Sequence, residues 1–376
     1  MDHIMILSFV YIAIVVIVLF GLCIFIHELG HFAAAKALGM VIDVFSIGFG
    51  PEILKWKGKS ETEYVISLFP LGGFVKPAGE QISEVEDAKP KPGDYLAAPL
   101  KSRILIVCAG VVMNYLLAFV LFTVIFMMGR PIPGTTIGDF VEDYPAAVSD
   151  LEVKDKIVAV NGKAVASWKE LTDAFKTAPE GSLSLGIERA GTPDILTIPV
   201  LPKTEPISDM FGKVHQVRRI GIVPHPEANK FERYGFIGAL IQSAKVETYL
   251  TIMTHKAMFY LVTGRLSMDA ISGPVGIISM TGDAAKLGLP YLLQLMATLS
   301  VSLAVLNLLP VPALDGGHLV FLILEGIRRK PVSLKIQERF TQVGFSLLLL
   351  LMVFLIYNDL DNIHLFDKIK GLVTGN

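Results

Sequence analysis

Two histidines and a glutamate stand at a spacing that could bind a metal ion: His27, Glu28 and His31 in the segment HELGH. Helix positions four residues apart share a face, so both imidazoles could direct nitrogen lone pairs at one ion. Zinc suits such ligands, and it lowers the pKa of bound water towards about 7. The adjacent Glu28 could take that water's proton and later pass it to a departing amine. These residues predict hydrolytic chemistry.

A catalytic zinc needs a third protein ligand and an open fourth position. The segment NLLPVPALDGGH, residues 307–318, offers Asp315 for this role. His318 is an alternative ligand, but it lies beyond the turn expected at the two glycines. A chance cluster of polar side chains is the other alternative. The apolar run beside HELGH argues against chance, because ionisable groups next to a membrane span are costly and usually functional.

Membrane spans must position these residues. Of 376 residues, 52% are hydrophobic and 18% are charged, against about 25% charged in soluble proteins. The apolar residues collect in runs long enough for a bilayer core of about 30 Å. These runs predict four spans: Ile4–Ile26, Ile104–Met128, Leu292–Leu309 and Val343–Tyr357. The apolar excess excludes intrinsic disorder, and the net charge of −2 gives no reason to expect nucleic acid as a partner.

Positive charges near the span ends predict the orientation. Lys and Arg cluster in the loop between the first two spans and in the loop between the last two. Such loops face the cytoplasm, so both termini and residues 129–290 are expected outside it. We expect no signal-peptide cleavage, because the first apolar run is too long and no Lys or Arg precedes it. Cys23 and Cys108 lie in apolar runs and are expected to be packing residues.

Between the spans, the sequence predicts two β-rich segments and a surface segment. Residues 41–75 are expected to form a β-hairpin dipping into a protein-lined cavity of the membrane. Residues 129–224 alternate short strands with turns and contain one helix near Ser167–Lys176. Tyr234–Val262 is interrupted by charges and is expected to form amphipathic helices on the membrane surface. A fifth crossing there would place Asp315 on the side opposite to His27.

The expected fold class is an α-helical polytopic membrane protein with about four transmembrane helices, a membrane-embedded β-hairpin and an inserted extracytoplasmic α+β domain. Its parts are an amino-terminal membrane part (1–128), the inserted domain (129–224), surface helices (225–290) and a carboxy-terminal membrane part (291–376).

Within the inserted domain, YPAAVSDLEVKDKIVAVNGKAVASWKEL resembles a PDZ domain of the bacterial protease type. Lys154 departs from that pattern, which usually has Gly at this position. A small β-rich spacer is the alternative interpretation.

The chain as a whole resembles the site-2 protease family of intramembrane zinc metalloproteases. FIHELGHF and NLLPVPALDGGH match its two signatures, and LGGFV, AGVVMNYLLA and SGPVGI support the match along nearly the whole chain. The bacterial branch with an extracytoplasmic PDZ domain fits best, although many members have two such domains and this chain has room for one. The resemblance implies a bacterial cytoplasmic (inner) membrane enzyme with Zn²⁺ held by His27, His31 and Asp315.

The same resemblance implies that Asn307 and Pro310 help to hold the substrate strand, and that the hairpin binds substrate by strand addition. Its substrates would be single-pass membrane proteins such as anti-sigma factors, and also remnant signal peptides. Asn114 either faces the active site or bonds to a neighbouring helix; the sequence leaves both open. One rival function is a non-catalytic PDZ membrane adaptor with a structural metal. The other is a metal transporter, but the spans lack further ionisable residues for a conduction path.

Overall fold

The computed structural model describes residues 2–59, 61–79, 91–209, 212–225, 229–266 and 271–362. Parts of the predicted surface helices (226–228 and 267–270) and the last residues of the carboxy-terminal part (363–376) lie outside these ranges. The chain forms two compact units. Unit 1 contains Met1–Ile125, Ile237–Leu261 and Ser267–Asn376, and unit 2 contains Phe126–Phe236 and Val262–Leu266.

The four predicted spans are confirmed as helices long and apolar enough to cross a membrane. They are α1 (Asp2–Ala37), α2 (Leu100–Met128), α6 (Leu289–Leu308) and α8 (Leu334–Asn362). Each exceeds the apolar run that predicted it. In particular, α1 continues without a break through the HELGH segment, which therefore lies in a regular helix.

Unit 1 also contains most of α4 (Phe236–Val262) and the helices α5 (Pro274–Leu287) and α7 (Asp315–Arg328). The segment expected as surface helices forms one continuous helix, α4, whose Ser243 and Thr251 hydroxyls contact Thr123 and Tyr115 of α2. The helix α5 packs against α1, α6 and α8. The Asp359 carboxylate of α8 accepts 2.9 Å hydrogen bonds from the backbone N–H groups of Gly273 and Gly276 and so holds the first turn of α5.

The β-element of unit 1 consists of β1 (Ile42–Lys57) and β2 (Glu63–Pro77). Both strands lie where the sequence predicts the hairpin, but they pair in more than one register and not as a simple two-stranded hairpin. Phe45 pairs with Val75 and also with Tyr64, and Tyr64 pairs in turn with Trp56. Two glycines with positive φ, Gly48 and Gly50, lie where β1 changes partners. The strands therefore fold back into a compact sheet with two edges.

Unit 2 is an insertion between α2 and α4. Its central sheet has the order β6-β5-β7-β8, with β5 (Lys156–Val160), β6 (Lys163–Ala164), β7 (Leu183–Glu188) and β8 (Leu196–Val200). The helix α3 (Trp168–Thr177) lies where the sequence predicts one helix. Ser167 caps it by accepting a hydrogen bond from the Glu170 N–H, and it buries Leu171 and Phe175. These side chains belong to the same apolar core as the inward residues of β5 and β7.

The remaining strands of unit 2 form three antiparallel pairs. They are β3 (Arg130–Pro133) with β12 (Asn229–Glu232), β4 (Ile137–Phe140) with β11 (Ile222–Pro224), and β9 (Lys203–Ser208) with β10 (Val214–Arg219). Because β12 pairs with β3, unit 2 extends to Phe236 and not only to Pro224 as the sequence suggested. Lys154 adopts φ 76°, the backbone conformation for which glycine is the usual residue.

Candidate metal centre

Three ligand atoms from α1 and α7 converge on one point. Nε2 of His27 lies 3.1 Å from Nε2 of His31, and Asp315 Oδ2 lies 3.1 Å from the first and 3.4 Å from the second. Ligands held about 2.0–2.1 Å from a tetrahedral zinc ion lie roughly 3.3–3.4 Å apart. Within the described residues, these three form the one group of His, Cys, Asp and Glu side chains with metal-binding spacing. The spacing fits zinc.

Asp315 reaches this point from the first turn of α7. An anionic side chain is favoured there by the helix dipole. Its Oδ2 is buried and accepts no hydrogen bond in the described part of the chain. Such an atom is costly unless a cation satisfies it. Gly316 and Gly317 permit this placement, since a Cβ on Gly316 would lie 2.0 Å from the carbonyl oxygen of Leu309.

Close approach of α1 and α2 makes room for the two imidazoles. A Cβ on Gly30 would lie 2.5 Å from the Ala109 carbonyl oxygen, so the helices contact each other through backbone. On α2, a Cβ on Gly110 would lie 2.8 Å from Cε1 of His27 and closer still to the ring of His31. Small residues are the usual means by which membrane helices approach this closely.

The outer nitrogens of both histidines have partners on α2. Nδ1 of His31 lies 2.8 Å from the carbonyl oxygen of Ile106. Nδ1 of His27 lies 3.4 Å from the Asn114 side-chain amide. Partners of this kind fix ring orientation and leave the inner nitrogen for a metal.

A cavity of about 290 Å³ opens beside the three ligands. Glu28 lines it and lies against the strand β2. A Cβ on Gly73 would lie 3.1 Å from Cγ of Glu28, so this strand passes directly over the carboxylate side chain. The other lining residues come from α1, α2, the β-sheet, α6, the α6–α7 connection and the start of α7: Ile24, His27, Phe49, Gly72, Gly73, Asn114, Leu303, Asn307, Ala313, Leu314 and Asp315.

The remaining predicted site residues differ in their positions. Asn307 lines the cavity, with Nδ2 3.2 Å from Nε2 of His27. Pro310 is exposed in the α6–α7 connection and is not among the lining residues. His318 is exposed and lies outside the ligand group. Asn114 does both things that the sequence left open, since its backbone carbonyl oxygen also accepts a 2.8 Å bond from Ser300 of α6.

Sequence reasoning left Gly110 and the Ile106 carbonyl without a role. The four-residue spacing of Gly110 and Asn114 on α2 places both residues on one helix face. That spacing was a signal that the face opposes another helix, but which helix it opposes depends on tertiary packing.

The family model for peptidase family M50 matches residues 15–351. A zinc metalloprotease RasP of Geobacillus kaustophilus is 30% identical, covering 93% of this chain and 97% of its own. The regulator of sigma-W protease RasP of Bacillus subtilis is 30% identical, covering 95% and 100% respectively. A protein of Rhizobium meliloti that carries a zinc metalloprotease name is 33% identical, covering 91% and 94%. With this match and three converging zinc-type ligands, the chain belongs to peptidase family M50 and is a zinc metalloprotease.

Proposed function

We propose that the chain hydrolyses peptide bonds within the transmembrane segments of single-pass membrane proteins. The convergence of His27, His31 and Asp315 beside a cavity walled by span helices carries this proposal. Two of the ligands belong to α1, which is itself long and apolar enough to cross a membrane. A substrate must therefore reach the ligands at membrane depth.

In this proposal, zinc supplies an activated water and a positive charge beside the scissile carbonyl. Glu28 holds and moves the proton: its carboxylate takes one from the water and gives it to the departing amine nitrogen. The side-chain amide of Asn307, 3.2 Å from a ligand nitrogen, can donate a hydrogen bond to the carbonyl oxygen as negative charge develops there.

The substrate segment must be unwound before hydrolysis, because a helix hides its carbonyl groups in internal hydrogen bonds. The strand β2 offers a template. Gly72 and Gly73 line the cavity. Among the described residues, Gly73–Pro77 of β2 pairs with one stretch of β1 only, so β2 presents an edge there. We propose that an extended substrate adds to this edge, within a membrane-embedded sheet, and that Pro310 helps to shape the α6–α7 connection beside it.

Anti-sigma factors are the proposed substrates, together with remnant signal peptides. The name of the Bacillus subtilis relative, regulator of sigma-W protease, supports a role in sigma-factor control. The proposed location is the bacterial cytoplasmic membrane, with both termini and unit 2 outside the cytoplasm, as the Lys and Arg distribution favours.

Unit 2 is proposed to be a single PDZ domain. Its antiparallel sheet, its one long helix and the turn at Lys154 are compatible with the sequence pattern that suggests this fold. We favour a role in excluding substrates with bulky outer domains over capture of new carboxy termini.

The test uses the purified full-length chain and a fluorescently labelled single-pass anti-sigma factor with its outer domain already trimmed. Wild type and Glu28→Gln are compared at equal zinc content, with Glu52→Gln as a control at an exposed glutamate. We expect cleavage by wild type and by the control, and none by Glu28→Gln. Equal cleavage by all three would contradict the role of Glu28. A non-catalytic adaptor predicts no zinc-dependent cleavage by any of them.

A further inference from the structure

Asn114 lies at a junction of three spans. Its side chain is fully buried, with 0% of its surface exposed, and so is that of Ser300. The backbone carbonyl oxygen of Asn114 is bound by Ser300 of α6, while its side chain turns to His27 of α1. Among the described residues, Nδ1 of His27 has the side-chain amide of Asn114 as its hydrogen-bond partner.

The two histidines differ in what their outer partners allow. A carbonyl oxygen can only accept a hydrogen bond, so Ile106 forces Nδ1 of His31 to carry the proton. Nε2 of His31 then keeps its lone pair. An asparagine amide can donate or accept, so Asn114 can hold His27 in either neutral tautomer.

Only one of those tautomers can bind a metal through Nε2. If Asn114 donates from Nδ2, Nδ1 of His27 is the acceptor and the ring proton sits on Nε2, where it blocks the ligand position. If Oδ1 accepts instead, the proton is on Nδ1 and Nε2 is free. Oδ1 is buried and has no hydrogen-bond partner in the described structure. A half-turn about the Cβ–Cγ bond exchanges the two atoms, so that Oδ1 faces Nδ1 of His27 and Nδ2 takes the position that has no partner among the described residues.

We propose that Asn114 is a positioning residue for the metal centre: its Oδ1 accepts the Nδ1–H of His27 and so sets the tautomer that binds zinc. The Ser300 bond fixes the Asn114 backbone, so α6 takes part in holding the amide in place. This inference rests on the zinc site of the proposed function, but it concerns metal affinity and not proteolysis.

The experiment measures zinc affinity of the full-length chain by competition with a chelator, and thermal unfolding of the metal-free form. Asn114→Leu removes the acceptor with little change of size, and Asn114→Asp restores an acceptor. Loss of an outer-shell partner typically costs 10–100-fold in metal affinity. We expect Asn114→Leu to lose about 10–100-fold and Asn114→Asp to recover at least about tenfold of that loss. Cleavage is measured separately.

A purely structural role predicts a different pattern, in which Asn114→Leu lowers the unfolding temperature and leaves zinc affinity unchanged. That result would overturn the proposal, as would a folded Asn114→Asp with the same weak affinity as Asn114→Leu. If wild type binds zinc tightly and cleaves nothing, the proposed substrate class fails while the role of Asn114 can still stand. Ser300→Ala serves as a second variant, expected to weaken zinc binding less than Asn114→Leu.

Discussion

A Cβ on Gly110 would lie 2.4 Å from Nε2 of His31, well inside van der Waals contact. The absence of a side chain at this one position of α2 therefore determines where the imidazoles of α1 can lie. The same helix supplies the Ile106 carbonyl and the Asn114 amide. The helix α2 contributes none of the three candidate ligands, yet it sets the geometry of two of them, His27 and His31.

Gly110→Ala should displace the histidine rings and disrupt the metal centre. A displacement on the order of 1 Å at a catalytic centre can cost about 100-fold in rate, so we expect a loss of cleavage of about that size, with a parallel loss of zinc. Gly326→Ala on α7 is the control, because among the described residues its new methyl group would meet only the end of the Leu100 side chain. Full activity of Gly110→Ala would show that the rings can move freely.

Asp315 and His318 can be separated as candidates for the third ligand. Asp315→Asn should abolish zinc retention after gel filtration and cleavage with it, because the amide is a much weaker zinc ligand than the carboxylate. His318→Ala should retain both, since His318 is exposed and outside the ligand group. Chelation should inactivate wild type, and added zinc should restore it. Zinc loss in His318→Ala alone would reverse the assignment.

Arg103 and Glu325 form a largely buried, two-pronged ion pair that joins the start of α2 to α7. Their side chains are 8% and 17% exposed. Arg103→Met would leave the Glu325 carboxylate unpaired, and breaking one side of a buried pair typically costs about 3–5 kcal/mol. We expect a loss of that order in the free energy of unfolding, measured in detergent by denaturant titration.

Two comparisons test the Arg103 prediction. The double variant Arg103→Met, Glu325→Leu should recover much of the stability, because it leaves no buried charge without a partner. Lys286→Met breaks an exposed pair with Asp283 and should cost only about 0–1 kcal/mol. Equal losses for Arg103→Met and Lys286→Met would show that the Arg103 pair does not behave as buried.

Lys154→Gly should stabilise unit 2. The residue has φ 76°, and a left-handed conformation costs a residue with a side chain roughly 1–2 kcal/mol relative to glycine. We expect the free energy of unfolding of this unit to rise by about 1 kcal/mol. Hydrogen exchange of the unit within the full-length chain measures this change. Lys163→Gly, in the extended strand β6, should lower stability by roughly 0.5–1 kcal/mol. The same substitution thus has opposite effects at the two positions.

The sequence predicted the elements that depend on local composition. The four spans follow from apolar runs, and His27, Glu28 and His31 follow from helical spacing, so both were accessible without coordinates. Asp315 was predicted because its motif is specific, although its place at the start of a separate helix was not foreseen. Whether these side chains carry the proposed chemistry stays a prediction until Glu28→Gln is measured.

The features that were missed depend on contacts between distant segments. In the β-element of unit 1, β1 pairs with two different stretches of β2: Phe45 pairs with both Tyr64 and Val75. No periodicity of residue types in residues 41–75 predicts the second pairing. The end of unit 2 shifted to Phe236 because β12 pairs with β3, about a hundred residues earlier in the chain. The roles of Gly110 and Asn114 require knowing that α2 faces α1. Tertiary packing decides each of these cases.

The pairing of β3 with β12 has an evolutionary consequence. It brings the entrance and the exit of unit 2 side by side, so the insertion is closed at its base by its own residues. Chain can be added to or removed from unit 2 beyond this closure without changing the distance between α2 and α4. The proteolytic part and the inserted part can therefore diverge at different rates, and one metal centre can be combined with different inserted modules.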